Sequence, residues 1–207
     1  MCATRRSWLR IALLAASSVS VPGSEGRESW LGLWVQQDSG AVLDFRADGK
    51  VGGWPVTGSY QLKSPARIVI QSANEKLDCA WKKKDEDRLE LTRPINGQLD
   101  TIELLRLKPA PLDIPRWKGR YLIQHMVAAG KTATERAVKL EDTGHFRTKE
   151  GGYYLRLISD ASGKVLGYAS GEEDDTIAVQ VFIAGVHLVL FDRLEKPRLL
   201  ASCLRVD

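Results

Sequence analysis

Groups that do metal or nucleophile chemistry are scarce in this chain. It holds three cysteines and three histidines in 207 residues, and none stands at a C-x-x-C or H-x-x-x-H spacing. Those spacings put ligands on one face of a turn or helix, so nothing here reads as a metal site, and no cofactor is implied. Long apolar runs are also missing. The longest, near Ile11-Ala-Leu-Leu-Ala-Ala16, is too short to span a bilayer, so no stable membrane insertion is expected. Helical periodicity is absent as well, which removes the strand-then-helix setting of nucleotide-binding and α/β-hydrolase sites. Ala129-Gly130-Lys131-Thr132 ends like a phosphate loop, but the required earlier glycine is His125. Gly167-Tyr-Ala-Ser170-Gly171 misses the nucleophile elbow by one position.

An excess of one charge is lacking too. Of the 30 basic residues, Arg5, Arg6 and Arg10 fall in the first twenty positions, leaving 27 against 26 acidic ones. The remainder is close to neutral, and nucleic acid is not an expected partner. Those three arginines, the short apolar run and the small residues Ser18 and Ser20 form a signal-peptide pattern over 1–20, with cleavage sites up to Ser24. A secreted or periplasmic protein is expected. Cys79 alternates with Leu77 and Trp81 on one strand face, while Cys203 lies in a strand near the end of the chain. Two cysteines in two cores read as free buried thiols rather than a bridge.

What is there is said twice. Trp30-Leu-Gly32-Leu-Trp34 and Trp117-Lys-Gly119-Arg-Tyr121 share W-x-G-x-aromatic. Phe45, Gly49 and Val51 recur at identical spacing as Leu140, Gly144 and Phe146, then Gly58-Ser-Tyr60 is echoed by Gly152-Tyr-Tyr154. Leu104-Leu-Arg106-Leu is answered by Cys203-Leu-Arg205-Val. Short alternating apolar runs broken by Asp-Gly, Asn-Gly and charged turns predict strands near 31–36, 41–46, 50–54, 58–63, 67–71, 76–83, 87–92 and 100–107. The second copy predicts 119–124, 135–141, 144–149, 152–158, 164–169, 176–183, 186–192 and 198–206. Eight strands just close around a side-chain-filled interior, so each copy, 30–107 and 117–207, is expected to be one barrel. The Pro-rich stretch 108–116 between them reads as an extended linker.

Gly32-Leu-Trp34 opening an all-β run that closes on Arg106 resembles the lipocalin and calycin family, and Gly119-Arg-Tyr121 with Arg205 repeats the device with Tyr. The resemblance implies that Trp34 plugs one barrel end and Arg106 stacks over it, with Tyr121 and Arg205 in the same structural roles. The fold expected is therefore all-β: two tandem small antiparallel lipocalin-like β-barrels joined by the Pro-rich linker. Large inward side chains, Trp34, Phe45, Tyr60 and Trp81, are expected to fill most of the first interior.

Function is read from what a bare barrel does not need. Trp54-Pro55 follows Gly52-Gly53 at a hairpin tip, and an insertion spans 125–135 in the second copy. Trp54, Pro55, His125, Lys131 and Thr132 are thus the candidate binding residues. The expectation is an exported, non-enzymatic protein that engages a protein partner through loops or the seam between barrels. A carrier of a small apolar ligand in a barrel cavity is the alternative. A second alternative is an envelope hydrolase using His125, His187 and the acidic run Glu172–Asp175 at the seam.

Overall fold

A computed structural model describes residues 30–207 except 74, 129–130, 134–135, 170–175 and 194–196. The expected signal segment and the acidic run 172–175 lie outside the described residues. Eight strands close the first barrel: β1 (Gly32–Gln36), β2 (Val42–Phe45), β3 (Lys50–Trp54), β4 (Gly58–Ser64), β5 (Arg67–Ser72), β6 (Lys76–Asp85), β7 (Arg88–Ile95) and β8 (Gln98–Arg106). Each pairs antiparallel with the next, and β8 returns to β1. Alternation then fixes which side chains face inward. Phe45, Ile68, Ile70, Cys79, Leu89, Leu91 and Leu104 form its core.

The chain next lays β9 (Lys108–Pro109) against the second unit before the four-residue helix α1 (Ile114–Trp117), capped by the Asp113 carboxylate on the Arg116 amide. The proline-rich stretch 108–116 is extended only as far as Asp113 and turns helical at Ile114, a departure from the extended linker expected, and its extended part does not run free. It pairs with residues 182–183 of the later strand β16 (Thr176–Ala184), and the Ala110 amide donates to the Val181 carbonyl. That part of the edge is open because the preceding strand, β15 (Val165–Ala169), covers only residues 176–179.

The second barrel runs through β10 (Gly119–Ala128), β12 (Arg136–Leu140), β13 (His145–Arg147), β14 (Tyr153–Ser159), β15, β16, β17 (His187–Asp192) and β18 (Leu199–Arg205). It closes through β10 and β18, from Tyr121 opposite Arg205 to Met126 opposite Ala201. The insertion is a small hairpin: β11 (Lys131–Ala133) folds back on the extended end of β10. Two closed, eight-stranded antiparallel barrels in tandem are thus the architecture.

The two copies match in register as well as in order. Trp34 lies opposite Arg106 and Tyr121 opposite Arg205, while Gly32 faces Phe45 as Gly119 faces Leu140. The G-x-Y echo is a correction. The Tyr60 amide donates to the Gly49 carbonyl and the Leu157 amide to the Gly144 carbonyl, so Tyr60 corresponds to Leu157, not Tyr154. A longer β13–β14 connection in the second copy moved its glycine-tyrosine pair out of step.

Between the barrels sits a third core. Val35 and Val42 from the outer face of barrel one meet Phe182, Val189 and Phe191 from barrel two, with Leu107 closing one side. This is why every residue of β17 is buried: its alternate faces serve two different cores. Burying such side chains stabilises by about 1.5–3 kcal/mol each, so parting the barrels would re-expose them at that cost. Polar bonds fix its register, with the Ser202 hydroxyl donating to the Gly40 carbonyl at 2.6 Å and His187 Nε2 donating to the Gln37 carbonyl at 3.0 Å.

Candidate functional site

The closed ends come first, because they determine where space is left. In barrel one the Trp34 indole donates to the Trp30 carbonyl at 2.9 Å, and in barrel two the Tyr121 hydroxyl donates to the Trp117 carbonyl at 2.5 Å. The W-x-G-x-aromatic repeat is therefore a self-closing loop in which the last ring ties back to the first residue's backbone. Gly32 (φ +113°) and Gly119 (φ +153°) make the reversal, in a region where other residues are strained. Trp30 then packs edge-on to Phe45 at 5.2 Å and to Trp81 at 4.8 Å.

Arg106 stacks over Trp34 with its guanidinium carbon 4.2 Å from the ring centre, and donates to the Leu31 and Glu86 carbonyls. Arg205 takes a different course. Its Nε pairs with Asp207 at 2.9 Å, and Nη1 reaches the Arg116 carbonyl at 3.3 Å. Among the described residues no cation–π contact joins Arg205 to Tyr121. The Asp207 carboxylate, which also accepts from the Arg120 amide, offers a stronger partner than a phenol face. Burial pushes the Tyr121 hydroxyl up to about 12, so it stays protonated as a donor.

The bulky inward rings gather at this closed end, and the interior of barrel one is not filled. Along β2 the inward side chains shrink from Phe45 to Leu43, and along β6 from Trp81 to Cys79 and Leu77. What remains is a cup of about 330 Å³ at the opposite end. Leu43, Ile70, Cys79, Leu91 and Leu104 make its apolar floor, and Gln36, Ser39, Glu75 and Arg93 ring its mouth. Burial raises the Cys79 thiol above its usual value, keeping it protonated and apolar. Cys203 is buried in the other core, its thiol pushed up to about 12, and both cysteines are free.

The candidate binding residues divide. Trp54 and His125, from different barrels, are brought together with rings stacked at 5.1 Å and 22°. Trp54 is half-buried by this contact, so its ring folds onto the second barrel instead of standing free. Exposed Pro55 sits at the lip of the cup, with Val56 packed inward beside it. Lys131 and Thr132 are placed in β11 by pairing with Ala128 and Val127. Sequence reasoning missed Gln36, Glu75 and Arg93 at the rim. The shrinking of inward side chains toward one end was the signal that could have found the cup.

A second pocket, about 440 Å³, opens at the seam on the other side of Trp54. A larger hollow of about 640 Å³ lies at the closed end between the Asp85–Arg88 turn and Ala184-Gly185. It is shallower, rimmed by Asp85, Glu86, Asp87, Arg88 and Lys108, and it lacks a floor of the cup's kind.

All three histidines have lowered pKa values, burial being the main cause, and at His145 the neighbouring Arg147 and Arg156 add to it. His187 Nε2 faces the Gln37 carbonyl and the His125 ring faces Trp54, so both seam histidines touch the first barrel, and each keeps a buried Nδ1 without a hydrogen-bond partner among the described residues. Among the described residues no group of His, Cys, Asp or Glu could hold a metal ion, and no helix is long and apolar enough to cross a membrane. Comparison with protein-family models, curated proteins and solved structures gives no match to this chain.

Proposed function

We propose that barrel one is the carrier unit of an exported, non-enzymatic protein and holds a small apolar molecule in its cup. The observation that carries this reading is the cup itself: about 330 Å³, floored by aliphatic side chains, polar only at its mouth and stoppered at the far end by Trp30 and Trp34. Its volume falls in the range of small-molecule pockets, roughly 300–1,000 Å³. The lipocalin-like reading draws support from the Gly32-Leu-Trp34 motif with Arg106 over the ring. Barrel two then serves as a buttress, its outer face covering β1, β2 and β8.

The test is a titration with N-phenyl-1-naphthylamine, a neutral apolar dye that brightens out of water. Saturable binding at one equivalent is expected. Ile102, half-buried at the cup wall, is the place to fill it, and Ile102→Trp should weaken binding at least tenfold while the melting curve stays cooperative. Equal binding by that variant would remove the cup as the site.

Capture of a protein partner through a loop keeps one supporting observation. At the β7–β8 turn beside the mouth, Leu99 is 77% exposed and Ile95 39%. Leu99→Ser should then abolish partner capture without changing dye binding. A partner still captured by Leu99→Ser would remove this second reading.

A further inference from the structure

The seam pocket and the cup are separate spaces that share one wall, the indole of Trp54. The cup is built by barrel one alone. The seam pocket draws on both barrels and is larger, about 440 Å³. Its floor is aromatic: Phe182 and Phe191 meet edge to face at 5.5 Å, and the Trp54–His125 stack forms the adjoining wall. Its rim carries two guanidinium groups, Arg46 from barrel one and Arg198 from barrel two.

Both are held in place before any ligand arrives. Arg46 Nε donates to Asp44 Oδ2 at 2.6 Å, and Arg198 Nε donates to Asp192 Oδ2 at 2.8 Å, while the Arg198 amide donates to Asp192 Oδ1. A bond through Nε orients the planar group and leaves its Nη amines, which are donors only. The Asp192 side chain is 1% exposed and committed to Arg198, whereas the Arg198 and Arg46 side chains are 74% and 53% exposed. A cationic ligand would have to compete with Arg46 for Asp44. An anionic one meets oriented donors and breaks nothing.

We propose that the seam pocket is a second binding site, for a planar aromatic molecule bearing an oxyanion, with the ring against Phe182, Phe191 and Trp54 and the oxyanion on Arg46 and Arg198. It does not depend on the cup being occupied. Because its two arginines come from different barrels, the bound anion also bridges them.

Calorimetric titration of the full chain tests this with three isosteres: 2-naphthoate, neutral 2-naphthamide and the 2-naphthylmethylammonium cation. Naphthoate is expected to bind about tenfold or more tightly than either, since it alone offers a full negative charge to the two guanidinium groups. Arg46→Gln, which leaves the Arg198–Asp192 bonds intact, should reduce the naphthoate affinity toward that of the amide, and Ile102→Trp should leave it unchanged. Naphthoate should also shift the His125 ring resonances. Equal affinity for the amide or the cation, indifference to Arg46→Gln, or loss of naphthoate binding in Ile102→Trp would each overturn the proposal.

Discussion

At the scale of the residue, two side chains of different chemistry do one task. The indole of Trp34 and the phenol of Tyr121 each donate to the carbonyl four residues back, and each ring is fully buried. Trp34→Ala removes the ring and leaves a void that closed strands cannot collapse around, so it should cost about 3–5 kcal/mol in a denaturant melt. Tyr121→Phe keeps the ring and loses one hydrogen bond, a cost of about 0.5–1.5 kcal/mol. If the two variants melt alike, the rings are not the plugs. Arg106→Gln should lower the melting temperature more than Arg205→Gln, since Arg106 has a ring and two carbonyls while Arg205 has a partly exposed carboxylate and one longer bond to the Arg116 carbonyl. The repeat made the plugs legible in the sequence. It could not show that Asp207 would draw Arg205 away, because that choice depends on where a carboxylate two residues along folds back.

Among the elements, the informative ones are those that touch both barrels. Strand β17 carries the apolar run Leu188–Phe191 between His187 and Asp192, and the structure explains it by burial on two faces. The short β9 and α1 were not foreseen, because prolines that forbid ladder donation still allow a strand to accept, and Asp113 supplies a cap whatever the helix length. His187 lies on this same seam, fully buried, with Asp38 and the Gln37 carbonyl favouring its charged form but outweighed by desolvation. Its folded pKa is lowered from 6.5, as are those of His125 and His145. The unfolded chain therefore binds protons first as pH falls. The stability these residues contribute is complete above about pH 6.5 and is lost progressively below it. Denaturant midpoints should drop between pH 7 and pH 5, and the drop should shrink in the His125→Gln, His187→Gln double variant. A profile unchanged by that substitution would take the seam histidines out of the acid response.

For the whole molecule, the third core makes two barrels one folding unit. Residues 30–107 made alone would leave Val35, Val42 and Leu107 uncovered. That fragment should bind the dye bis-ANS on its surface and self-associate, whereas a fragment that stays monomeric and unstained would show the seam to be dispensable. Tandem barrels were legible from the duplication, and the closed ends from the W-x-G-x-aromatic motif. The cup was not, because a count of large inward rings gives no information on how they are distributed along the axis, and Trp30, Phe45 and Trp81 cluster at one end. The central claim is that the cup of barrel one is the ligand site. Methyl NMR during titration with N-phenyl-1-naphthylamine tests it most directly. Shifts concentrated at Leu43, Ile70, Leu91 and Leu104, with Leu157, Leu188 and Leu190 of barrel two unmoved, are the predicted result. Shifts centred on barrel two, or on no buried methyl at all, would contradict it.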